Sequence, residues 1–271
     1  MSDHIETYLR RFEPISSLDR SILLREMDAV WDEMGLDNSM PLCKQESKVA
    51  RFYGHPVWVL NGLFSEVDPM SRKHREAIAD YLSELKPRRI ADYGGGSGVL
   101  ARFIVQRCHD CVVDVVEPFP SPFVVSRMAG IERVQFVAKL EPPYDAIVVQ
   151  DVLEHVDDPL ELAFNVVDAT RQGGCLVFAN SFWPEIKCHM PSTFYLRYHF
   201  SMIMRAAGLK SLGCIADVGH SEVFSKVSPA NRYLAGQVAS LAKVTGPIVN
   251  RARGRVSAIR RAVSRTREAS K

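Results

Sequence analysis

The 271-residue sequence contains no apolar run approaching the roughly 18–20 residues that a membrane-spanning helix requires. Its first residues, Met1 to Arg11, are polar and charged, so they carry no secretion signal. Together these absences set the expectation of a cytoplasmic, soluble protein. Cysteine is sparse and scattered, at Cys43, Cys108, Cys111, Cys175, Cys188 and Cys214, which suits reduced thiols and not a disulfide framework. Cys108-His109-Asp110-Cys111 has C-x-x-C spacing, but a structural zinc site needs four ligands, usually from a second such pair. None exists, so no metal site is expected. There is no internal repeat.

Charge is nearly balanced overall, at +2, but unevenly placed. Residues 228–271 hold ten Lys or Arg against the single acid Glu268, a net of +9, which leaves the rest of the chain at −7. This basic extension has apolar residues at helical spacing, Leu234, Val238 and Leu241, then Val256, Ile259 and Val263. Gly246-Pro247 is expected to break it into two helices. It has neither aromatic interleaving nor a recognition motif, which argues against nucleic acid as a partner. Two readings stay open: an amphipathic helix at a membrane surface, giving peripheral membrane contact, and a solvated extension.

The remaining chain divides in two. Residues 1–86 read as a helical cap. Ser17 to Met34 has Leu18, Ile22, Leu23, Met27, Val30 and Trp31 on one helical face, and Pro69 and Ser71 introduce a helix through Leu85. Residues 87–227 alternate strand and helix signals. Apolar β-rich runs occur at Arg89–Tyr93, Val112–Val116, Val134–Val137, Ala146–Val149 and Cys175–Ala179. Such alternation predicts an α/β fold, a doubly wound and mostly parallel sheet covered on both faces. Two further strands, Leu212–Ala216 and Ser221–Val227, are spaced to close it as a hairpin.

The segment Ile90-Ala91-Asp92-Tyr93-Gly94-Gly95-Gly96-Ser97-Gly98-Val99-Leu100-Ala101 carries the clearest chemistry. A strand runs into a glycine cluster and then a helix, whose N-terminus offers unpaired N–H groups and a positive dipole end. Gly96 to Ala101 satisfies the relaxed dinucleotide pattern G-x-G-x-x-A. Asp92-x-Gly94-x-Gly96-x-Gly98 equally resembles the first motif of class I S-adenosylmethionine (SAM) methyltransferases. Glu117 ends the next strand, about 20 residues on, where an acid accepts hydrogen bonds from ribose hydroxyls of either cofactor.

A second motif separates the two. Asp145-Ala146-Ile147-Val148-Val149-Gln150-Asp151-Val152-Leu153-Glu154-His155-Val156 closely resembles the fourth-strand segment of SAM methyltransferases of the ubiquinone and small-molecule O-methylating type. Asp157-Asp158-Pro159 and Arg171-Gln172-Gly173-Gly174 match that family as well, and no Tyr-x-x-x-Lys dehydrogenase pair follows the glycine loop. The resemblance covers about residues 88–227. It implies a Rossmann-like SAM-binding domain and methyl transfer, on oxygen, to a small-molecule, glycan or lipid-linked acceptor. It places S-adenosylmethionine against Asp92, Gly94, Gly96, Gly98, Glu117, Gln150 and Asp151. The family often has an acid after the third strand; here the chain departs from it, with Lys139 and Leu140 in that place, and the adenine is expected against backbone groups of Ala138 to Leu140. His155, His189 and His199 are the candidate bases or acceptor ligands, each weighed against a packing role. Tyr53, His55 and Trp58 either cap the cofactor or form an aromatic core. A catalytically idle module of the same fold and a NAD-dependent oxidoreductase are the alternatives from other classes.

Overall fold

The computed structural model describes the backbone of residues 2–268 and the side chains of residues 4–254. Five helices come first: α1 (Ser2–Arg10), α2 (Arg20–Glu33), α3 (Glu46–Tyr53), α4 (Pro56–Val67) and α5 (Pro69–Leu85). Their boundaries follow from capping chemistry. Asp19 accepts a hydrogen bond from Ser21 N at the start of α2, and Asp68 accepts one from Ser71 N at the start of α5, with Pro69 in the first turn. The helix expected over residues 17–34 therefore begins three residues later, behind its cap.

Strands and helices then alternate. The strands are β1 (Arg89–Tyr93), β2 (Val112–Val116), β3 (Val134–Val137), β4 (Tyr144–Gln150) and β5 (Thr170–Ala179). Between them lie α6 (Val99–Arg107), α7 (Pro122–Met128) and α8 (Pro159–Ala169), while β3 passes to β4 without a helix. After α9 (Phe200–Ala206) come β6 (Lys210–Gly213) and β7 (Ser221–Ser225). The seven strands lie in the order β3-β2-β1-β4-β5-β7-β6, with β7 antiparallel to both neighbours and the other pairs parallel. The strand order reverses between β1 and β4, and open α/β sheets bind ligands outside the carboxyl ends of strands at such a point.

Alternate residues of the central strands feed different layers, because successive side chains point to opposite faces. Ala146 and Val148 pack with Ile78, Leu82 and Ile104 of α5 and α6. Ile147 and Val149 pack with Phe164, Val167 and Ile203 of α8 and α9. A third apolar cluster lies over the strand ends: Leu23, Met27, Trp31, Phe52 and Leu60 of the cap meet Val124 and Met128 of α7 and Cys188 and Met190.

Two expectations need correction. Gly246-Pro247 does not divide the C-terminal segment: α10 (Arg232–Glu268) runs through Pro247 as one helix. Tertiary packing overrides the local signal there, since a Cβ at Gly246 would sit 2.9 Å from Tyr195 Cα, so the helix is pressed against its neighbour at that point. The terminal strands are also displaced, and their connection is a longer loop, residues 214–220, in which Asp217 has a φ of 66°. The apolar face assigned to Val256, Ile259 and Val263 lies outside the described side chains. Among the described residues no helix is long and apolar enough to cross a membrane.

Candidate active site

A cavity of about 550 Å³ opens at the carboxyl ends of β1 and β4, roofed by the N-terminal cap. Its lining includes Gly94, Gly95 and Gly96 of the loop after β1, Glu117 after β2, Arg75 and Asp151, and His155, Glu185 and His189. Tyr53, His55 and Trp58 form part of its roof and wall. The aromatic cluster of the second reading is present, and it lies at the cavity wall. The Trp58 and Tyr53 rings are 5.0 Å apart and each packs on Phe52, while the same side chains face the cavity.

The glycine loop is shaped by contacts that exclude side chains. Gly94 has a φ of 70° and donates its N–H to Val116 O at 2.8 Å; a Cβ there would stand 2.4 Å from Val152 Cγ2. Gly95 is equally constrained, since its Cβ would lie 2.5 Å from Asp92 Oδ2. Asp92 itself lies beneath the loop, 2% exposed, and Oδ2 has no hydrogen-bond partner. Burial raises its pKa to about 7, opposed by Arg75 and by a hydrogen bond from the Ala101 backbone. Glu117 accepts from Gly96 N at 3.1 Å and Phe119 N at 3.0 Å, which fixes its carboxylate at the rim while burial pushes its pKa up.

The turn after β4 is built by a residue that the sequence did not single out. Asn180 Oδ1 at the end of β5 accepts from Val152 N (2.9 Å) and Leu153 N (2.8 Å), and its Nδ2 donates to Val149 O (3.0 Å). This clamp holds Asp151 in the left-handed region, at φ 53°, an unfavourable conformation for a residue with a Cβ. Arg75 was also missed. It lies on α5, far in sequence from either motif, and its guanidinium feels Asp151 and Asp92 across the cavity floor. Nothing local in Lys73-His74-Arg75-Glu76 distinguishes it from an ordinary exposed helix face.

His155 and His189 come together although 34 residues separate them. Their ring centroids are 4.8 Å apart at 86°. His155 Nδ1 lies 3.2 Å from Cys188 O, and His189 Nδ1 lies 2.6 Å from Trp183 O. A ring nitrogen facing a carbonyl must be the protonated one, so each Nε2 carries the lone pair. Burial, then the neighbouring His189, lowers the pKa of His155 to about 3; burial also lowers that of His189. Both rings are thus neutral near pH 7. Glu154, 0% exposed, accepts from Ser181 N at 2.6 Å through Oε1, whereas Oε2 has no partner.

The structure does not bring every expected residue to the cavity. His199 is buried elsewhere, with Nδ1 on Tyr195 O at 2.9 Å and Nε2 3.5 Å from Thr245 Oγ1 of α10. It packs against the C-terminal helix, whereas its packing alternative places this segment against the N-terminal helices. Lys139 and Leu140 lie beyond β3 and are not among the lining residues; Lys139 points into solvent. Gly98 starts α6 with a φ of 70°, shaping the loop from behind. Cys108 and Cys111 are buried thiols, Cys111 Sγ donating to Cys108 O at 3.2 Å.

A family model described as a methyltransferase domain matches residues 70–210, just over half of the chain. The protein belongs to this methyltransferase family. The matched region begins in α5 and so includes Arg75, both motifs and the His155–His189 pair. A ubiquinone biosynthesis O-methyltransferase from Saccharophagus degradans is 24% identical over 158 residues, covering 54% of this chain and 63% of that protein. One from Xylella fastidiosa is 31% identical over 112 residues, covering 36% of this chain and 44% of that protein. The chain thus spans roughly half the length of the curated relatives it matches. In fold, the methyltransferase resembles an O-methyltransferase family protein from Burkholderia thailandensis, with a TM-score of 0.55, 12% identity and coverage of 78% of this chain and 70% of that one. Human N-acetylserotonin methyltransferase, in complex with SAM, gives a TM-score of 0.50 at 16% identity, with 83% and 70% covered.

The donor set fits SAM. The methionine end of SAM is a zwitterion, with an ammonium and a carboxylate. Asp92 lies just beneath the cavity wall, not among its lining residues, with one buried carboxylate oxygen unpartnered, and the half-buried Arg75 supplies a cation on the cavity side. Glu117 stands where a ribose diol can donate to it. Gly94 and Gly95 keep clear the space that a Cβ would fill.

Proposed function

We propose that this methyltransferase moves a methyl group from S-adenosylmethionine to a hydroxyl oxygen of a small-molecule, glycan or lipid-linked acceptor. The observation that carries the reading is that Gly94, Gly95, Gly96, Glu117 and Arg75 line the same cavity as two neutral histidines, His155 and His189. When bound, SAM supplies an electrophilic methyl on a sulfonium, so the reaction is an in-line displacement in which the positive charge on sulfur is lost. The chain's task is then alignment of the acceptor and exclusion of water.

Arg75, Asp92 and Glu117 hold the three polar parts of the cofactor and so fix where the methyl stands. The cap supplies the dry wall, through Leu24, Met27, Tyr53 and Trp58. The Trp58 indole N–H is buried without a partner and is available to an acceptor oxygen. Nε2 of His189 accepts the hydrogen bond from the acceptor hydroxyl and orients its oxygen lone pair, with the His155 ring packed edge-on against it. At a pKa of about 3, His155 is too weak to act as general base by itself near pH 7. His189 is the better recipient of the proton.

The relatives named for ubiquinone biosynthesis, together with the apolar wall, favour an aromatic or lipid-linked acceptor. The +9 charge of residues 228–271 supports peripheral contact with an anionic membrane, where such an acceptor resides. The test is calorimetric titration with SAM and separately with NADH, followed by an acceptor screen that follows transfer of a labelled methyl group. Micromolar SAM binding and label transfer to hydroxylated acceptors are expected. NADH binding without SAM binding refutes the reading. SAM binding without transfer to any hydroxyl refutes its oxygen chemistry.

A further inference from the structure

The cavity rim near His189 carries groups that methyl transfer alone does not use. Arg20, the first residue of α2, reaches Glu185 at 2.6 Å, and both residues line the cavity together with Ser181 and His189. The Arg20 and Glu185 side chains are also 60% and 36% exposed, so the cavity meets solvent at this pair. An acceptor whose hydroxyl faces His189 therefore has room to extend outward past Arg20 and Glu185.

The loop after β5 builds this rim as a fixed platform. Ser181 Oγ donates to Glu185 at 2.9 Å, and Glu185 N donates to Trp183 O at 2.8 Å, which folds residues 181–185 into one tight turn. His189 Nδ1 meets the same Trp183 carbonyl at 2.6 Å. The residue that orients His189 through its backbone thus carries its indole two positions from Glu185. That indole is 45% exposed, a large apolar surface left in water. It is nonetheless held in place. The Arg197 guanidinium lies 3.6 Å from the ring centroid and is itself fixed by two hydrogen bonds to Phe182 O, at 2.8 and 3.0 Å. The exposed area of the indole is what Arg197 does not cover.

We propose that Trp183, Arg20 and Glu185 form a subsite for a sugar ring carried by the methyl acceptor. A pyranose has the two surfaces that this rim matches. Its face of C–H bonds is apolar and lies flat on an indole, whose ring face is negative. Its edge bears neighbouring hydroxyls, each both donor and acceptor, which a carboxylate and a guanidinium serve together: Glu185 accepts and Arg20 donates. An alkyl chain would leave the ion pair unused, and a phosphate would meet the charge of Glu185. Because the platform is already braced, little ordering is needed when the ring arrives. The inference rests on the methyltransferase reading and narrows its acceptor. The unit that bears the reacting hydroxyl lies deeper, against His189, and the sugar bonded to it rests at the rim.

The test uses the full chain and a panel of phenyl hexopyranosides, with phenol as the sugar-free reference. Binding is followed by saturation-transfer NMR and by tryptophan fluorescence. At least one glycoside should bind about tenfold more tightly than phenol, with its ring C–H protons receiving saturation. Trp183→Ala keeps the backbone carbonyl that holds His189, so it should abolish the advantage of the glycoside and leave SAM affinity unchanged. Glu185→Gln should reduce the same advantage. Wild-type protein that binds no glycoside better than phenol overturns the proposal, whatever the variants do. An advantage that survives undiminished in both variants overturns it as well. Calorimetric titration of the same samples with SAM keeps the two ideas separate. SAM binding without any preference for a glycoside refutes the subsite alone, and glycoside binding through Trp183 without SAM binding refutes the methyltransferase reading alone.

Discussion

Asp92 gives the sharpest quantitative test, because its service to the cofactor should weaken the empty protein. Its carboxyl is 2% exposed, one oxygen has no partner, and its pKa is raised from 3.8 to about 7. A carboxyl whose folded pKa exceeds its unfolded value keeps a proton in the folded state that the unfolded chain has already lost. Stability is thus fully present below pH 3.8 and is lost as pH rises through 7. Three pKa units correspond to about 4 kcal/mol, and more than half of the loss falls between pH 5 and pH 8. Asp92→Asn removes the buried charge and keeps the shape. Without SAM, the variant should be more stable than wild type at pH 8, by ~10 °C in melting temperature for a chain of this size, and the gap should narrow at pH 5. Saturating SAM should reverse the order at pH 8, raising the wild-type melting temperature and leaving the variant where it was. Thermal melts by circular dichroism at the two pH values, with and without SAM, decide the matter. A variant that melts at or below wild type throughout would refute the claim that Asp92 is buried at a cost for the cofactor's ammonium.

Other residues make separate predictions. Gly94→Ala places a Cβ 2.4 Å from Val152 Cγ2 at a φ of 70°, so SAM affinity should fall at least tenfold by calorimetry, with a stability loss of about 1–3 kcal/mol in urea. Arg75→Gln should weaken SAM at least tenfold while the far-ultraviolet spectrum stays unchanged; an unaltered dissociation constant would remove Arg75 from the cofactor site. Tyr144→Phe deletes a hydroxyl that donates to Asp114 at 2.7 Å and accepts from Glu141 N at 3.0 Å, on the far side of the sheet core. It should cost about 1–3 kcal/mol in a urea titration and leave SAM affinity untouched.

The sequence made the architecture readable because the features that build it are local. Apolar runs such as Ala146–Val149 declare buried strands, and Pro69 with Ser71 declares a helix start within three residues. The cofactor loop was legible for the same reason: Asp92, Gly94, Gly96 and Gly98 lie within seven positions. What escaped notice was assembled by the fold. Arg75 reaches the cavity because α5 packs beside β1, and Asn180 matters because β5 lies next to β4. His189 and His199 looked alike in one aromatic stretch, yet one turns toward His155 and the other toward Thr245. Pro247 misled because helix propensity is a local preference, and the groove that receives α10 is not.

The roof over the cavity is held by its buried apolar cluster with Cys188 and Met190 and, around the edge, by mostly exposed bonds. Arg20 meets Glu185 at 2.6 Å, and the backbone of Leu42 and Cys43 donates to Asp157 at 2.8 and 2.9 Å. Exposed pairs of this sort are individually weak and yield to salt. The same roof covers the glycine loop and the histidine pair, so one swing of the cap uncovers both. Salt that loosens those edge pairs should therefore ease the release of cofactor and acceptor from the one cavity together.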